Sequence, residues 1–319
     1  MNISFSIDNN YVPYCLITIC SICENNKNEE INFFILNRDI SNNNKQLIND
    51  FVSKYNCNVT FLEIKIDLIN TFPINTQYQT NKYISIETYF RLFLTELLPA
   101  EIEKIIYLDS DIIVCNSLKE LWDTDISNVA LAAVKDNEYY SVADYNRLRY
   151  EPKYGYFNAG VLLINLKYWR EHQSYNKFMN YIRDNPERLK KHDQDVLNFI
   201  FYNEKKWLPL RYNLLVGFVC KELPFPYLEW DDIYEAQKKP CIIHYSDKIK
   251  PWFMDCLHPY KSLFYKYQKL TPFADMPLIK TKLTKKQQLK HILAKVHLCS
   301  DIEKRKDFYD HSINIEHLL

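Results

Sequence analysis

The stretch IIYLDSDIIV, residues 105–114, is an apolar, β-branched run broken at its centre by Asp109 and Asp111. Side chains of an extended chain alternate faces, so carboxylates at i and i+2 project from one face about 7 Å apart. Burying one unpaired carboxylate costs several kcal/mol, and burying two together costs more unless a cation or a proton neutralises them. A strand that ends this way calls for a positive partner close by.

The surrounding chain reads as strands alternating with helices. NISFSID (2–8) alternates and stops at Asp8, Asn9 and Asn10, and Tyr11 to Cys23 is apolar over a helical length. INFFILN (31–37) is a buried strand, and Ser41 caps a helix with Leu47, Phe51 and Tyr55 on one face. VTFLEIKI (59–66) is a third strand, SIETYFRLFLTELL (85–98) a helix, and KIIYLDSD (104–111) a fourth strand. VALAAVKD (129–136) ends a further strand at Asp136, and YFNAGVLLINLKYW (156–169) is a buried strand whose Asn158 and Asn165 need specific partners. KHDQDVLNFIFY (191–202) opens a helix with Asp193, Gln194 and Asp195 in its first turn, where acids favour the helix dipole. PCIIHYSDKIKPW (240–252) is a short strand delivering His244, with Lys250 and Trp252 just beyond it.

This order implies an α/β fold: a single Rossmann-like, mostly parallel sheet flanked by helices and joined by right-handed crossovers. Ligands of such sheets collect at the C-terminal ends of the strands, where the strand order reverses. Asp8 ends the first strand and Asp109 the fourth, so if those strands are neighbours one pocket collects both.

Bulk composition narrows the function. The 319 residues suit one large domain, 1–265, followed by a basic helical tail, 266–319. Between Asp275 and Asp301 the tail has no acid but carries Lys280, Lys282, Lys285, Lys286, Lys290 and Lys295, with Leu289, Ile292, Leu293 and Val296 spaced for one face. That is the pattern of a helix lying on a membrane surface. The 40 basic and 40 acidic residues balance, which argues against nucleic acid as a partner. The nine cysteines lack a zinc spacing and read as free thiols of a reducing cytosol. The N-terminus reads as a strand rather than a signal peptide, and no run of about 18 apolar residues is present to span a bilayer. Only three glycines occur, which excludes glycine-rich phosphate loops, so any phosphate must be held in another way.

Two carboxylates suit a hard divalent cation, and His244 as third ligand tilts the choice toward Mn²⁺, with Mg²⁺ as the alternative. Lys250 is then placed to offset the charge of a diphosphate. The aromatic-rich region from Trp207 to Trp230 suits a saccharide, because aromatic faces stack on sugar rings.

Together SIDNNYV, ISIETYFRLFL, IIYLDSDIIVCNSLKELWDTDI, YFNAGVLLINLKYWREH, HDQDVLN and HYSDKIKPW resemble glycosyltransferase family 8, in the same order and over roughly residues 3–252. Among its members the resemblance is to bacterial lipooligosaccharide and lipopolysaccharide α-galactosyl- or glucosyltransferases. It implies a GT-A type nucleotide-sugar-binding fold and a metal-dependent hexosyltransferase that moves galactose or glucose from UDP with retention of configuration. By this resemblance Ser6, Asp8, Asn10 and Tyr11 line the uridine pocket. Asp109, Ser110 and Asp111 form the D-x-D, with Asp109, Asp111 and His244 holding Mn²⁺ and Lys250 on the diphosphate. Arg91, Asp136, Asn158, Ala159, Asp193 and Gln194 surround the donor sugar, and Gln194, Asp193 and Asp136 are the catalytic candidates. Gln194 is a poor nucleophile, so same-face attack is the expected route. The implied partners are a UDP-hexose, a saccharide acceptor of core type, lipid-linked or free, and, through the tail, a membrane surface. The implied location is the cytoplasm, peripheral on the inner face of the inner membrane. The chain departs from the family at Asp247, where a glycine is common, which puts a negative side chain beside the diphosphate.

Three rivals remain at this stage. A haloacid-dehalogenase-like phosphatase also carries D-x-D after an apolar strand, but it expects Thr or Val where Ile113 stands and a position nearer the N-terminus. A non-catalytic UDP-sugar or glycan-binding module would share the fold. A self-glucosylating priming protein would use one of the 25 tyrosines as acceptor.

Overall fold

In the computed structural model, IIYLDSDIIV is not one strand. Residues 1–65, 86–137, 141–221, 230–280, 293, 309–310 and 312–319 are described. Strand β4, Lys104–Leu108, ends before Asp109, the D-x-D forms a bend, and the chain resumes as a separate strand, Ile112–Val114. The β-branched residues on both sides of the bend concealed it. The two carboxylates therefore sit at a hinge between two sheets rather than on one strand face.

Numbered in chain order, the strands are β1 (Asn2–Ser6), β2 (Ile31–Asn37), β3 (Cys57–Glu63), β4, β5 (Ile112–Val114), β6 (Leu131–Lys135), β7 (Phe157–Asn165), β8 (Lys205–Trp207), β9 (Leu214–Leu215) and β10 (Ile242–His244). The large sheet has seven strands in the order β3-β2-β1-β4-β7-β6-β8, and the small one has three, β5-β10-β9. In the large sheet β7 runs antiparallel to β4 and β6, and the other pairings are parallel. β1 and β4 are neighbours, which brings the ends of the first and fourth strands together. In the small sheet His244 of β10 lies opposite Ile112 of β5, directly after the bend.

The helix Val12–Asn25 is buried along most of its length and fixes that hinge. Its Thr18 hydroxyl donates to the Ile112 carbonyl at 2.8 Å, and Ser21 Oγ accepts from Val114 N at 3.0 Å. These buried hydroxyls satisfy the free edge of β5, which otherwise would leave backbone groups unpaired in the core. Ser41 caps the helix Asn42–Val52 by accepting from Asn44 N, as expected. The segment expected as a helix over 85–98 is instead a 3₁₀ helix, Ile86–Phe93, running into one α-turn, Leu94–Leu97. Ile86, Tyr89 and Leu92 recur every third residue on its buried side, the spacing that a three-residue turn requires.

The sheet separates two apolar cores. One joins the helix Val12–Asn25, the small sheet and the helix Lys261–Gln268; the other joins segment 86–98 to the helices that follow β7. The helix Lys261–Gln268 crosses position 265, and Ile313, Ile315 and Leu318 pack against the first core. Asp310 N donates to Val219 O at 2.9 Å. Most of the lysine-rich stretch from Lys280 to Lys295 lies outside the described residues. Among the described residues no helix is long and apolar enough to cross a membrane, and eight cysteines are free thiols.

Candidate active site

The hinge, β10 and β7 bring three ligating atoms together. One carboxylate oxygen each from Asp109 and Asp111 and a ring nitrogen of His244 lie within 4.8 Å of one another. His244 Nε2 faces Asp111 Oδ1 at 3.2 Å and Asp109 Oδ2 at 3.9 Å. Two oxygens and one imidazole are a donor set for a hard to borderline divalent cation. The close approach depends on Gly160 of β7, because a β-carbon there would lie 2.3 Å from His244 Cε1 and 2.7 Å from Asp109 Oδ2. The residues present fit a metal.

The positive partners demanded by the sequence are also supplied by the chain itself. Arg91 Nη2 pairs with Asp109 Oδ1 at 2.9 Å, and Lys250 Nζ pairs with Asp111 Oδ2 at 2.5 Å. Burial pushes the Asp111 carboxyl up, but Lys250 and His244 together outweigh it and hold the group below the usual carboxylate range. Arg91 is buried, stacks 4.0 Å over the Tyr107 ring, and donates to the Ala159 carbonyl. Its Nε also pairs with Asp193 Oδ2 at 2.9 Å, while Thr88 Oγ1 donates to Asp193 Oδ1 at 2.6 Å. Burial nonetheless raises the Asp193 carboxyl above its ordinary value, against the pull of Arg91. The reading of the first-turn acids as helix-dipole partners is therefore incomplete: Asp193 is held by Arg91, and Asp195 by Arg147 and the Tyr156 hydroxyl.

Beside this charged cluster lies a layer of amides. Gln194 Oε1 accepts from Ala159 N at 2.9 Å and from Asn158 Nδ2 at 3.2 Å, while Gln194 Nε2 donates to Asp136 Oδ2 at 2.7 Å. With its amide reoriented, Asn137 donates to the other Asp136 oxygen and accepts from Gly217 N. Gly217 has no room for a β-carbon, which would lie 2.3 Å from the Asn137 amide.

A cleft of about 410 Å³ opens where β1 and β4 end. Ser6, Asp8, Tyr11, Arg91, Asp109, Ser110, Asp111 and Lys250 all line it. Asp8 accepts from Asn10 N and Tyr11 N at 2.9 Å each, so it caps the turn leading into the helix Val12–Asn25. Asn10 is exposed and its amide rests on Asp8 rather than in the lining. Trp252 forms a wall, stacked 3.9 Å on Tyr14 and edge-on to Tyr11. Burial, then Asp111 and Asp8, push the Tyr11 hydroxyl up to about 12. The Asp247 carboxylate accepts from Lys248 N at 2.6 Å and from the Tyr309 hydroxyl at 3.4 Å, so donors of its own loop and of the C-terminal segment offset it.

The sequence reading missed Thr88, Gly160, Gly217, Asn137 and Asn213. A usable signal existed for the glycines: in a chain with three, two stand against site residues. Asn213 follows the stretch KWLPLRY (206–212), where no periodicity points to it.

Sheet order and site define a class of nucleotide-sugar transferase with a GT-A-like fold, and comparison with known proteins agrees. The model of glycosyl transferase family 8 matches residues 2–256, and the chain belongs to that family. A protein of Haemophilus influenzae described as a glycosyltransferase is 37% identical over 268 residues, covering 81% of this chain and 74% of its own. The lipopolysaccharide 1,2-glucosyltransferase of Escherichia coli is 30% identical over 297 residues, covering 92% of this chain and 85% of its own. The crystal structure of the galactosyltransferase LgtC with donor and acceptor sugar analogues superposes with a TM-score of 0.75 at 28% identity, covering 91% of this chain and 100% of LgtC.

Proposed function

We propose that the protein transfers galactose or glucose from its UDP conjugate to a saccharide acceptor of the lipooligosaccharide or lipopolysaccharide core, with retention of configuration and dependence on Mn²⁺ or, less favourably, Mg²⁺. The observation that carries this reading is the convergence of Asp109, Asp111 and His244 at the mouth of a cleft formed by the ends of β1 and β4. A divalent cation held by these residues supplies Lewis acidity to a departing diphosphate. Lys250, on the cleft wall 2.5 Å from Asp111, adds positive charge on the same side. Ser6, Asp8 and Tyr11 receive the nucleoside, and Trp252 gives that end an apolar wall. Arg91, held by Asp109 and Asp193, aligns the donor between the charged cluster and the amide layer.

A double displacement needs a free nucleophile beside the anomeric carbon. The three candidates are all committed: Gln194 Oε1 already accepts two N–H groups, Asp193 is bound by Arg91 and Thr88, and Asp136 by Gln194 and Asn137. These bonds favour same-face attack assisted by the leaving phosphate. Isolation of a glycosyl adduct on Asp193 or Asp136 would refute it.

The test is UDP release from UDP-galactose and from UDP-glucose, each with Mn²⁺ and with EDTA, without acceptor and then with lactose-type saccharides. Mn²⁺-dependent release from one donor, raised by acceptor, is the expected result. UDP binding without turnover across donors would favour a binding module, and a mass gain on the protein itself would favour self-glucosylation.

The division into a transferase domain, 1–265, and a basic tail, 266–319, belongs to the same proposal, as does a peripheral location on the cytoplasmic face of the inner membrane. Its test is charge reversal at Lys285, Lys286 and Lys290, which is expected to move the protein from membrane to soluble fractions. Truncation from residue 280 is the poorer test, because Tyr309, Ile313, Ile315 and Leu318 pack on the core.

A further inference from the structure

Asn213 is fully buried between the two halves of the site. Its Oδ1 lies 3.0 Å from His244 Nδ1, and its Nδ2 donates to Asn158 Oδ1 at 2.9 Å. Which end of an amide faces which neighbour is set by the hydrogen-bond network, and here a backbone group decides. Gly160 N donates to Asn158 Oδ1 at 2.9 Å, and a backbone N–H has no other role to play. The Asn158 oxygen is thus an acceptor, so the Asn213 group facing it is its NH₂. The Asn213 oxygen must then face His244, and His244 Nδ1 must carry a proton. Nε2, which faces Asp109 and Asp111, is then the nitrogen whose lone pair a bound metal would take up. The neighbouring backbone group, Ala159 N, fixes Gln194 Oε1 in the same way on the sugar side.

We propose that Asn213 is a positioning residue that sets the tautomer and ring orientation of His244 for metal binding, and that the same amide ties His244 to Asn158 and thereby to Gln194. Metal-ligating histidines commonly depend on such a partner at their second nitrogen, and losing it weakens metal affinity about 10- to 100-fold. The inference rests on the metal-dependent transferase reading above. What it adds is that the two amide faces have separable duties: the oxygen serves the metal side, and the nitrogen serves the sugar side.

The experiment compares wild type, Asn213→Ala and Asn213→Asp by calorimetric titration of Mn²⁺ in the presence of UDP, together with kcat. Melting temperature and circular dichroism establish folding. Asn213→Ala removes both bonds and is expected to weaken Mn²⁺ about 10- to 100-fold. Asn213→Asp keeps an oxygen for His244 Nδ1 but loses the donor to Asn158. It is expected to hold Mn²⁺ within about threefold of wild type while kcat falls at least about tenfold, because a carboxylate is a common partner for a ligating histidine. Should the alanine variant not fold, Asn213→Leu, similar in shape and without polar atoms, takes its place. Unchanged Mn²⁺ affinity in a folded variant lacking both bonds would overturn the proposal, as would equal weakening in the aspartate variant. Wild-type protein that binds no Mn²⁺ would take down the metal reading itself, and this inference with it.

Discussion

The two halves of the site are held by different physics. Asp109, Asp111, His244 and Lys250 form a charged half assembled where the two sheets meet, from the bend after β4, from β10 and from the loop after it. Asn158, Gln194 and Asp136 form a neutral half, apart from one carboxylate, in which β7 backbone N–H groups orient side-chain amides. Ion pairs in a partly buried setting are strong but tolerant in direction, whereas amide networks are directional and fail when one member is reversed. The charged half is thus suited to binding a diphosphate and the amide half to aligning the sugar. Removing groups from the first is expected to abolish donor binding, and removing them from the second to lower kcat while donor affinity survives.

The largest effect is expected at the hinge. Asp111→Asn replaces a carboxylate ligand by a neutral amide and leaves Lys250 without the carboxylate that lies 2.5 Å away in the native protein. Mn²⁺-stimulated UDP binding is expected to vanish and turnover to fall by about 10³-fold or more, the scale on which loss of a preorganised charge acts. Calorimetry showing native Mn²⁺-dependent UDP binding in this variant would break the division outright.

Next comes Gln194→Ala, which deletes the two bonds accepted from β7 and the one donated to Asp136. A fall in kcat of about 100-fold is expected, with UDP affinity unchanged within about twofold, as for a group that acts mainly in the transition state. A parallel loss of UDP affinity would mean that the halves are not separable.

The division also explains what could be read from the sequence. The strand ends at Asp8 and Asp109 and the strand carrying His244 followed from alternating periodicity and the rule for strand ends, whereas the adjacency of β1 and β4, on which their convergence depends, came from the sheet order. The amide layer was visible only as Asn158 and Gln194, because a directional network depends on partners such as Asn213, 55 positions from Asn158, that no local pattern marks. The hinge was hidden because Ile112, Ile113 and Val114 continue the β-branched run across it, and a change of sheet leaves periodicity intact. Arg91 was expected to meet the donor sugar, yet its pairing with Asp109 makes it part of the answer to why two carboxylates can be half-buried there. That pairing crosses 18 residues and a change of element.

Gly160 joins the two halves, since its N–H serves Asn158 while its missing side chain admits His244 and Asp109. Gly160→Ala forces the ring or the carboxylate to retreat from a contact of 2.3 or 2.7 Å. A Mn²⁺ affinity about tenfold weaker is expected, with a stability loss of about 1–3 kcal/mol from overpacking. Both are measurable by calorimetry and thermal melts. An alanine variant that binds Mn²⁺ as wild type does would show that the ligand geometry is looser than the tight packing implies.

The smallest effect sharpens the comparison through stability rather than activity. His258 lies fully buried behind the charged half, against Tyr245, Tyr260 and Tyr309, and among the described residues its Nε2 has no hydrogen-bond partner. Burial first, then the charges of Lys250 and His244, lower it to about 3. In the unfolded chain it titrates near about 6.5, so below that pH the unfolded state binds a proton that the folded state refuses. Stability is therefore fully present above about 6.5 and is lost as pH falls toward about 3. Between pH 7 and pH 5 this amounts to about 2 kcal/mol, or about 3 °C in melting temperature for a chain of this size. His258→Phe keeps a ring in the same place without a titratable nitrogen, so its melting temperature is expected to fall less over that interval than that of wild type. Equal slopes in the two proteins would mean that His258 is not held neutral in the folded state, by burial or by the charged half beside it.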